Sequence, residues 1–279
     1  GVDMGPSAIR YAGVVERLER IGHSVTDLGD ITIAPPEKEV SKNHNLKNLE
    51  GVVQASLELS KQVDSIISEK QFPLIFGGDH SIAIGTLAGV SKHFNNLGVI
   101  WYDAHGDLNT EETSPSGNIH GMPLAASLGY GHPSLTNIGE YAPKVKPENT
   151  FLVGVRDLDE GEIELANRID LNLYTMETIR SRGLDSIIED ITTKIKNSNL
   201  DAVHLSFDID VLDKKLVPGT GTPVDGGFTI EEVKTLFKSF IDTKLIRSMD
   251  FVELNPLLDE NDSTADLCIE IIDWIFKHI

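Results

Sequence analysis

Five short apolar runs constrain this chain more than any other feature, because each is strand-length and each leads into acidic or histidine residues. They occupy residues 73–76, 97–102, 150–155, 202–207 and 246–252. Phe76 leads into Gly77-Gly78-Asp79-His80, and Tyr102 into Asp103-Ala104-His105-Gly106-Asp107. Val155 leads into Arg156-Asp157-Leu158-Asp159, Phe207 into Asp208-Ile209-Asp210, and Val252 into Glu253. Runs this short, rich in branched and aromatic residues and continuously apolar, suit strands buried on both faces. Such strands need helices on either side. The expected fold is therefore α/β: three layers, α/β/α, with a mostly parallel central sheet.

Helical patterning fills the intervals as that fold requires. Residues 6–21 carry a Pro near the start and Gly22 just past the end, which frames a helix. Leu49, Val52, Val53, Leu59, Val63, Ile66 and Ile67 recur at helical spacing up to about Lys70. Further helices are expected over 82–94, 184–196, 230–241 and 266–278. No internal repeat, low-complexity tract or linker interrupts residues 1–279, so a single domain is expected.

Charge excludes some partners. The 279 residues include 24 Lys+Arg against 44 Asp+Glu, a formal net charge of −20. Such a surface repels nucleic acid and anionic membranes. No stretch approaches the roughly 20 uninterrupted apolar residues that span a bilayer, and the first residues do not form a secretion signal. The single cysteine, Cys268, cannot form an internal disulfide, so a cytoplasmic location is expected, with Cys268 a buried, inert thiol.

In an open parallel sheet, sites form beyond the carboxyl ends of the strands, where these acids and histidines would converge. Side chains alternate along extended backbone, so Asp103, His105 and Asp107 would share one side, as would Asp208 and Asp210. Carboxylates crowded on one face repel unless cations lie between them. An isolated Asp-x-Asp is more often a helix cap or a turn. Asp-x-His-x-Asp, Asp-x-Asp and Gly-Gly-Asp-His together, all at strand ends, favour metal binding. Four carboxylates and two imidazoles make an oxygen-rich set that favours manganese over zinc. Two such ions would activate a water against an electrophilic carbon, which is metal-assisted hydrolysis.

The segments Gly77-Gly78-Asp79-His80-Ser81, Asp103-Ala104-His105-Gly106-Asp107, Ser116-Gly117-Asn118-Ile119-His120-Gly121-Met122-Pro123, Ser206-Phe207-Asp208-Ile209-Asp210 and Glu253-Leu254-Asn255-Pro256 resemble the arginases of the ureohydrolase family, in their bacillus-type bacterial form. The resemblance runs from Gly1 to the C-terminal helix. It implies an arginase/deacetylase-like fold and two Mn²⁺ per subunit. One ion would be held by His80, Asp103, Asp107 and Asp208, the other by Asp103, His105, Asp208 and Asp210, with Asp103 and Asp208 bridging. It also implies hydrolysis of L-arginine to L-ornithine and urea, in a homo-oligomer (trimer or hexamer). Glu253 would pair with the guanidinium, and His120 would shuttle protons. A group titrating near neutrality suits that task. Asp107 would also accept a hydrogen bond from the attacking water.

By the same resemblance, Asn109, Ser114, Ser116 and Asn118 contact the α-carboxylate, directly or through water. Asp159 and Glu162 receive the α-ammonium, and Thr222 lines the guanidinium end. These groups favour arginine over agmatine, since a site built for polar groups penalises an analogue that leaves them unpaired. In this family, Gly1-Val2-Asp3-Met4-Gly5-Pro6-Ser7 follows a first strand and its loop, which have no counterpart here. The rival readings are a sister enzyme for agmatine, guanidinobutyrate or formiminoglutamate, a single-metal deacetylase, and a non-catalytic metal-binding homologue. The remaining histidines read as ordinary: His23, His93, His132 and His278 at helix ends or in loops, and His204 inside a strand.

Overall fold

Six apolar segments pair into one parallel sheet in a computed structural model that describes residues 1–33 and 45–279. They are β1 (Leu74–Phe76), β2 (Leu97–Tyr102), β3 (Thr150–Val155), β4 (Asn172–Thr175), β5 (Ala202–Asp208) and β6 (Ile246–Val252). The spatial order is β1-β6-β5-β2-β3-β4, and every pairing is parallel. From β2 the chain proceeds to one edge through β3 and β4, whereas from β5 it proceeds to the other through β6. β2 and β5 are thus neighbours at the point where strand order reverses, and a crevice opens there beyond their carboxyl ends. Asp103 follows β2, and Asp208 closes β5.

Alternating residues of the central strands feed two different cores. Tyr102, Phe207 and Phe251 project to one face, against Phe237 and Phe240 of the helix Ile230–Ile241. Trp101, Val99 and Leu152 project to the other, against Leu59, Val63 and Leu87 of the helices Leu49–Ser68 and Ala83–Val90. The helix Ile230–Ile241 starts where Thr229 and Glu232 satisfy each other's main-chain N–H groups. Its buried Phe237 contributes roughly 2–3 kcal/mol by leaving water.

Several expected boundaries shift for identifiable reasons. Residues 6–21 form two helices, Gly5–Tyr11 and Val14–Arg20, because Gly13 adopts the left-handed φ of 85° and turns the chain between them. The 82–94 helix is shorter, Ala83–Val90, and is preceded by a 3-10 turn, His80–Ile82, capped by the Asp79 carboxylate accepting Ser81 N–H at 3.0 Å. Strand β4 and the helices Glu160–Arg168 and Met176–Arg182 were not expected from the pattern. β4 is an edge strand only four residues long, with Asn172 and Thr175 at its ends, so its apolar signal is weak. Among the described residues no helix is long and apolar enough to cross a membrane.

Candidate metal centre and substrate cleft

The extended backbone of β2 stops at Tyr102, so Asp103, His105 and Asp107 do not converge by strand alternation as expected. The chain turns instead. His105 N–H donates to Asp103 Oδ1 at 2.7 Å, and Asp107 takes a left-handed φ of 54°. Its carbonyl accepts from Leu124 N and Ala125 N, both at 3.1 Å, which anchors the far end of the turn. From the neighbouring strand, Asp208 Oδ1 accepts Asp210 N–H at 2.8 Å, folding the end of β5 into a 3-10 turn.

These turns gather all six expected ligands into two groups. His80 Nδ1 lies 3.1 Å from Asp103 Oδ2, 3.1 Å from Asp107 Oδ2 and 3.4 Å from Asp208 Oδ2. His105 Nδ1 lies 3.3 Å from Asp103 Oδ1 and 3.1 Å from Asp210 Oδ2. Asp103 therefore gives one oxygen to each group, while Asp208 Oδ2 faces the first. Asp103 and Asp210 are wholly buried, and His80, Asp107 and Asp208 nearly so.

Residues outside the expected ligand set hold these groups in place. Ser206 Oγ lies 2.8 Å from His80 Nε2, and the His80 ring stacks on Trp101 with centroids 4.1 Å apart. With Nε2–H donating to Ser206, Nδ1 is left as the lone-pair nitrogen facing the carboxylates. Trp101 Nε1 donates to Asp103 Oδ2 at 3.0 Å. Ala104 N and Thr222 Oγ1 donate to the two oxygens of Asp210, each at 3.1 Å. Ser206 carried one legible signal: it lies two residues before Asp208 and so shares its face of β5. Trp101 carried none, since a tryptophan in an apolar run reads as core.

Electrostatics test whether divalent cations fit here. Burial pushes the Asp107 carboxyl up, reinforced by the Asp103 charge, to about 8. Burial and the neighbouring Asp210 likewise raise Asp208. Asp103 goes the other way: His105 and His80 outweigh its burial and hold it well below the usual carboxylate range. His105 is raised to about 12, because Asp103 and Asp210 outweigh the burial that would lower it. Without cations, then, burial and mutual repulsion oppose the charged forms of Asp107 and Asp208. Divalent ions relieve both, since they bind deprotonated ligands. An ion holding ligands about 2.1 Å away in octahedral geometry sets neighbouring donors about 3 Å apart, close to the spacing of these groups. Asp107 Oδ2 is buried and makes no hydrogen bond, as a ligand oxygen awaiting a cation would be. The donor set fits.

Above this floor lies an open cleft. One wall carries Glu253, held at a left-handed φ of 67°, with Oε1 accepting His80 N–H at 3.0 Å. His120 Nδ1 stands 3.5 Å from the same oxygen. That Glu253 contact raises the His120 imidazole to about 9, against the opposing effect of burial. The cleft is also lined by Asn109, Ser114, Ser116, Asn118, Asp157, Asp159, Glu162 and Thr222. Asn109 Nδ2 donates to Asp159 Oδ2 at 2.7 Å. Glu162 accepts Leu108 N–H on Oε1 at 3.0 Å and Asp159 N–H on Oε2 at 2.9 Å, so both its oxygens already brace the cleft. Every residue expected to touch substrate lines this one space. Asp157 is an addition.

His23, His93, His132 and His278 each have a hydrogen-bond partner outside the cleft. His204, wholly buried, lies between Ser248 Oγ at 2.8 Å and Asp250 Oδ2 at 3.2 Å.

Comparison with known proteins agrees with this geometry. The Arginase family matches over residues 1–276. The arginase of Bacillus caldovelox is 52% identical over 277 residues, 99% of this chain and 92% of that protein. Its solved structure superposes with a TM-score of 0.96 over the same shares of the two chains. The arginase of Staphylococcus aureus (strain MRSA252) is 45% identical, covering 99% of this chain and 91% of that protein. The Entamoeba histolytica arginase, solved with L-ornithine, is 36% identical with a TM-score of 0.87, covering 99% of this chain and 92% of that one. With the family matched almost end to end and relatives above half identity, this chain belongs to the arginase family.

Proposed function

We propose that this protein hydrolyses L-arginine to L-ornithine and urea at a binuclear manganese site. One observation carries the reading: two groups of acids and histidines, buried except for the half-buried His105, share Asp103 at the floor of a cleft lined by a carboxylate–imidazole pair and polar groups. The arginase names of relatives at about half identity support it. Two divalent ions, Mn²⁺ by the oxygen-rich donor set, supply an activated water at neutral pH when bound between His80, Asp103, His105, Asp107, Asp208 and Asp210. Asp208 would join Asp103 among the carboxylates that hold the ions.

The chain's own groups do the rest. Glu253 accepts the guanidinium N–H groups in a charge-assisted pairing and turns the guanidinium carbon toward the floor. Asp107 accepts a hydrogen bond from the attacking water. As the water oxygen bonds to that carbon, the C–N bond to the ornithine side chain breaks, and His120 delivers a proton to the departing amine. Asn109, Ser116 and Asn118 receive the α-carboxylate, Asp159 and Glu162 the α-ammonium, and Thr222 closes the guanidinium end. We further assign a single domain, a homo-oligomeric state and a cytoplasmic location.

The test is urea and ornithine release across a panel of guanidino substrates, with manganese supplied and metal content measured on the same sample. Arginine turnover well above that of agmatine, guanidinobutyrate and formiminoglutamate is expected. Comparable turnover of agmatine would overturn the substrate assignment and favour a sister enzyme. A fully metallated protein that releases no product from any of them would favour the non-catalytic homologue.

A further inference from the structure

Arg156 has no carboxylate partner among the described residues, although it lies beside the most acidic part of the molecule. Its guanidinium donates to main-chain carbonyls instead. Nη2 reaches Asp210 O at 2.7 Å, Leu212 O at 3.0 Å and Val224 O at 3.0 Å. Nε reaches Asp225 O at 3.1 Å, and Nη1 reaches Gly154 O at 3.1 Å and Val211 O at 3.3 Å. Six acceptors for five N–H groups saturate the fork. Three chain segments meet on it: the end of β3, the turn 209–212 that carries Asp210, and the segment 222–225 that carries Thr222.

The approach depends on Gly154. This residue sits at an irregularity in the β3–β4 pairing with a left-handed φ of 102°, and a Cβ there would lie 2.5 Å from Val211 Cγ2. The tight packing brings β3 against the Asp210 turn and leaves Arg156 within reach of both segments. A lysine could not replace the fork, because one ammonium offers three donors from a single point. The cation is also placed to act at short range on the cluster. Asp210, Asp103 and Asp208 are among the charges that favour its protonated form against burial.

We propose that Arg156 is a positioning residue for one ion of the pair: it clamps the Asp210 turn to the Thr222 segment and so shapes the group formed by Asp103, His105 and Asp210. The other group has supports of its own that Arg156 does not touch, Trp101 on Asp103 and Ser206 on His80. The inference rests on the two-ion reading above, and it concerns which ion a remote arginine controls.

The experiment titrates manganese into the metal-free protein by calorimetry and measures bound metal by mass spectrometry after gel filtration. Wild type, Arg156→Lys and the distant core variant Ile191→Ala are compared. The expected result is two ions in wild type and in Ile191→Ala. In Arg156→Lys one ion binds as in wild type and the other roughly 10–100-fold more weakly, the range for losing an outer support of a metal ligand. Equal weakening in Ile191→Ala would mark the effect as general destabilisation and overturn the proposal. So would two ions of wild-type affinity in Arg156→Lys. Fewer than two ions in wild type would overturn the two-ion reading itself, and the proposal with it. Should Arg156→Lys fail to fold, Thr222→Val cuts the side-chain link between the same segment and Asp210 without changing shape. A smaller weakening of the same single ion is then expected, and no weakening would reject the clamp.

Discussion

The floor of the cleft and its polar wall are built on different principles. On the floor, local turns at Asp103 and Asp208 are tied together by groups remote in sequence: Ser206 on His80, Thr222 on Asp210, Glu253 on the His80 backbone. On the wall, residues 109–118 are held mainly by near neighbours. Thr113 Oγ1 donates to Asn109 Oδ1 at 2.9 Å, Ser114 Oγ accepts Gly117 N–H at 2.9 Å, and Ser116 Oγ accepts Asn118 N–H at 3.1 Å. A floor stitched across strands moves only if the sheet moves. A wall of local turns can change residue by residue without disturbing the floor, which is how one metal centre can serve different guanidino substrates.

The comparison breaks most visibly at the floor. Asp208→Ala removes a carboxylate facing His80, and manganese content and activity are expected to fall together. The rate should drop by at least about 10²–10³-fold, the loss seen when a single electrostatic stabiliser is removed. A variant that keeps both ions and its activity would show that Asp208 is not part of the floor.

Glu253 joins the two regions, since it touches His80 from the wall side. Glu253→Gln should lower kcat/KM for arginine about 10²-fold, a typical result of deleting one partner of a buried charge pair. The same substitution should be visible at His120 in the metal-free protein. Because His120 is raised to about 9, its protonated pairing with Glu253 favours the folded state fully below about 6.5 and fades as pH rises through 9. In the variant, the NMR titration of the His120 ring should move down toward about 6.5. An unmoved titration would assign the raised value to another charge.

A milder change tests whether the wall is separable. Asn109→Ala removes the hydrogen bond to Asp159. It should raise KM about 5–10-fold, roughly 1 kcal/mol, while kcat stays within about twofold. Metal content should remain full. Lost metal in this variant would show that floor and wall are one unit.

The same division explains what was legible in the sequence. The parallel sheet, five of its strands and the helix Ile230–Ile241 followed from apolar patterning, because central strands bury both faces. That these six residues gather at one place was legible, because acids and histidines at several strand ends converge beyond a parallel sheet. Their mutual geometry was not, since it depends on the left-handed Asp107 and on turns that begin where the pattern stops. Glu253 has a positive φ as well, and nothing in Val252-Glu253-Leu254 announces it. Trp101 and Arg156 were hidden for opposite reasons. Trp101 looks like core and also holds a ligand. Arg156 looks like a surface charge and is consumed by carbonyls from distant segments.

The smallest effect tests whether the floor is insulated from the sheet's other face. Tyr102 immediately precedes Asp103 but points the opposite way from Trp101, into the aromatic core with Phe207, Phe237 and Phe240. Its hydroxyl is buried and has no hydrogen-bond partner among the described residues, and burial pushes the phenol well above its usual range. An unpaired buried hydroxyl costs about 1–3 kcal/mol of desolvation, whereas phenylalanine fills the same space without it. Tyr102→Phe should therefore stabilise the protein by about 1 kcal/mol, a rise in Tm of roughly 2–4 °C for a chain of this size. Manganese affinity and arginine turnover should stay at wild-type values, because the ring keeps its packing and the floor ligands are fixed from the other face. A stabilised protein with weakened metal binding would show that strain passes through β2 from one core to the other, and the floor would then be set by both layers.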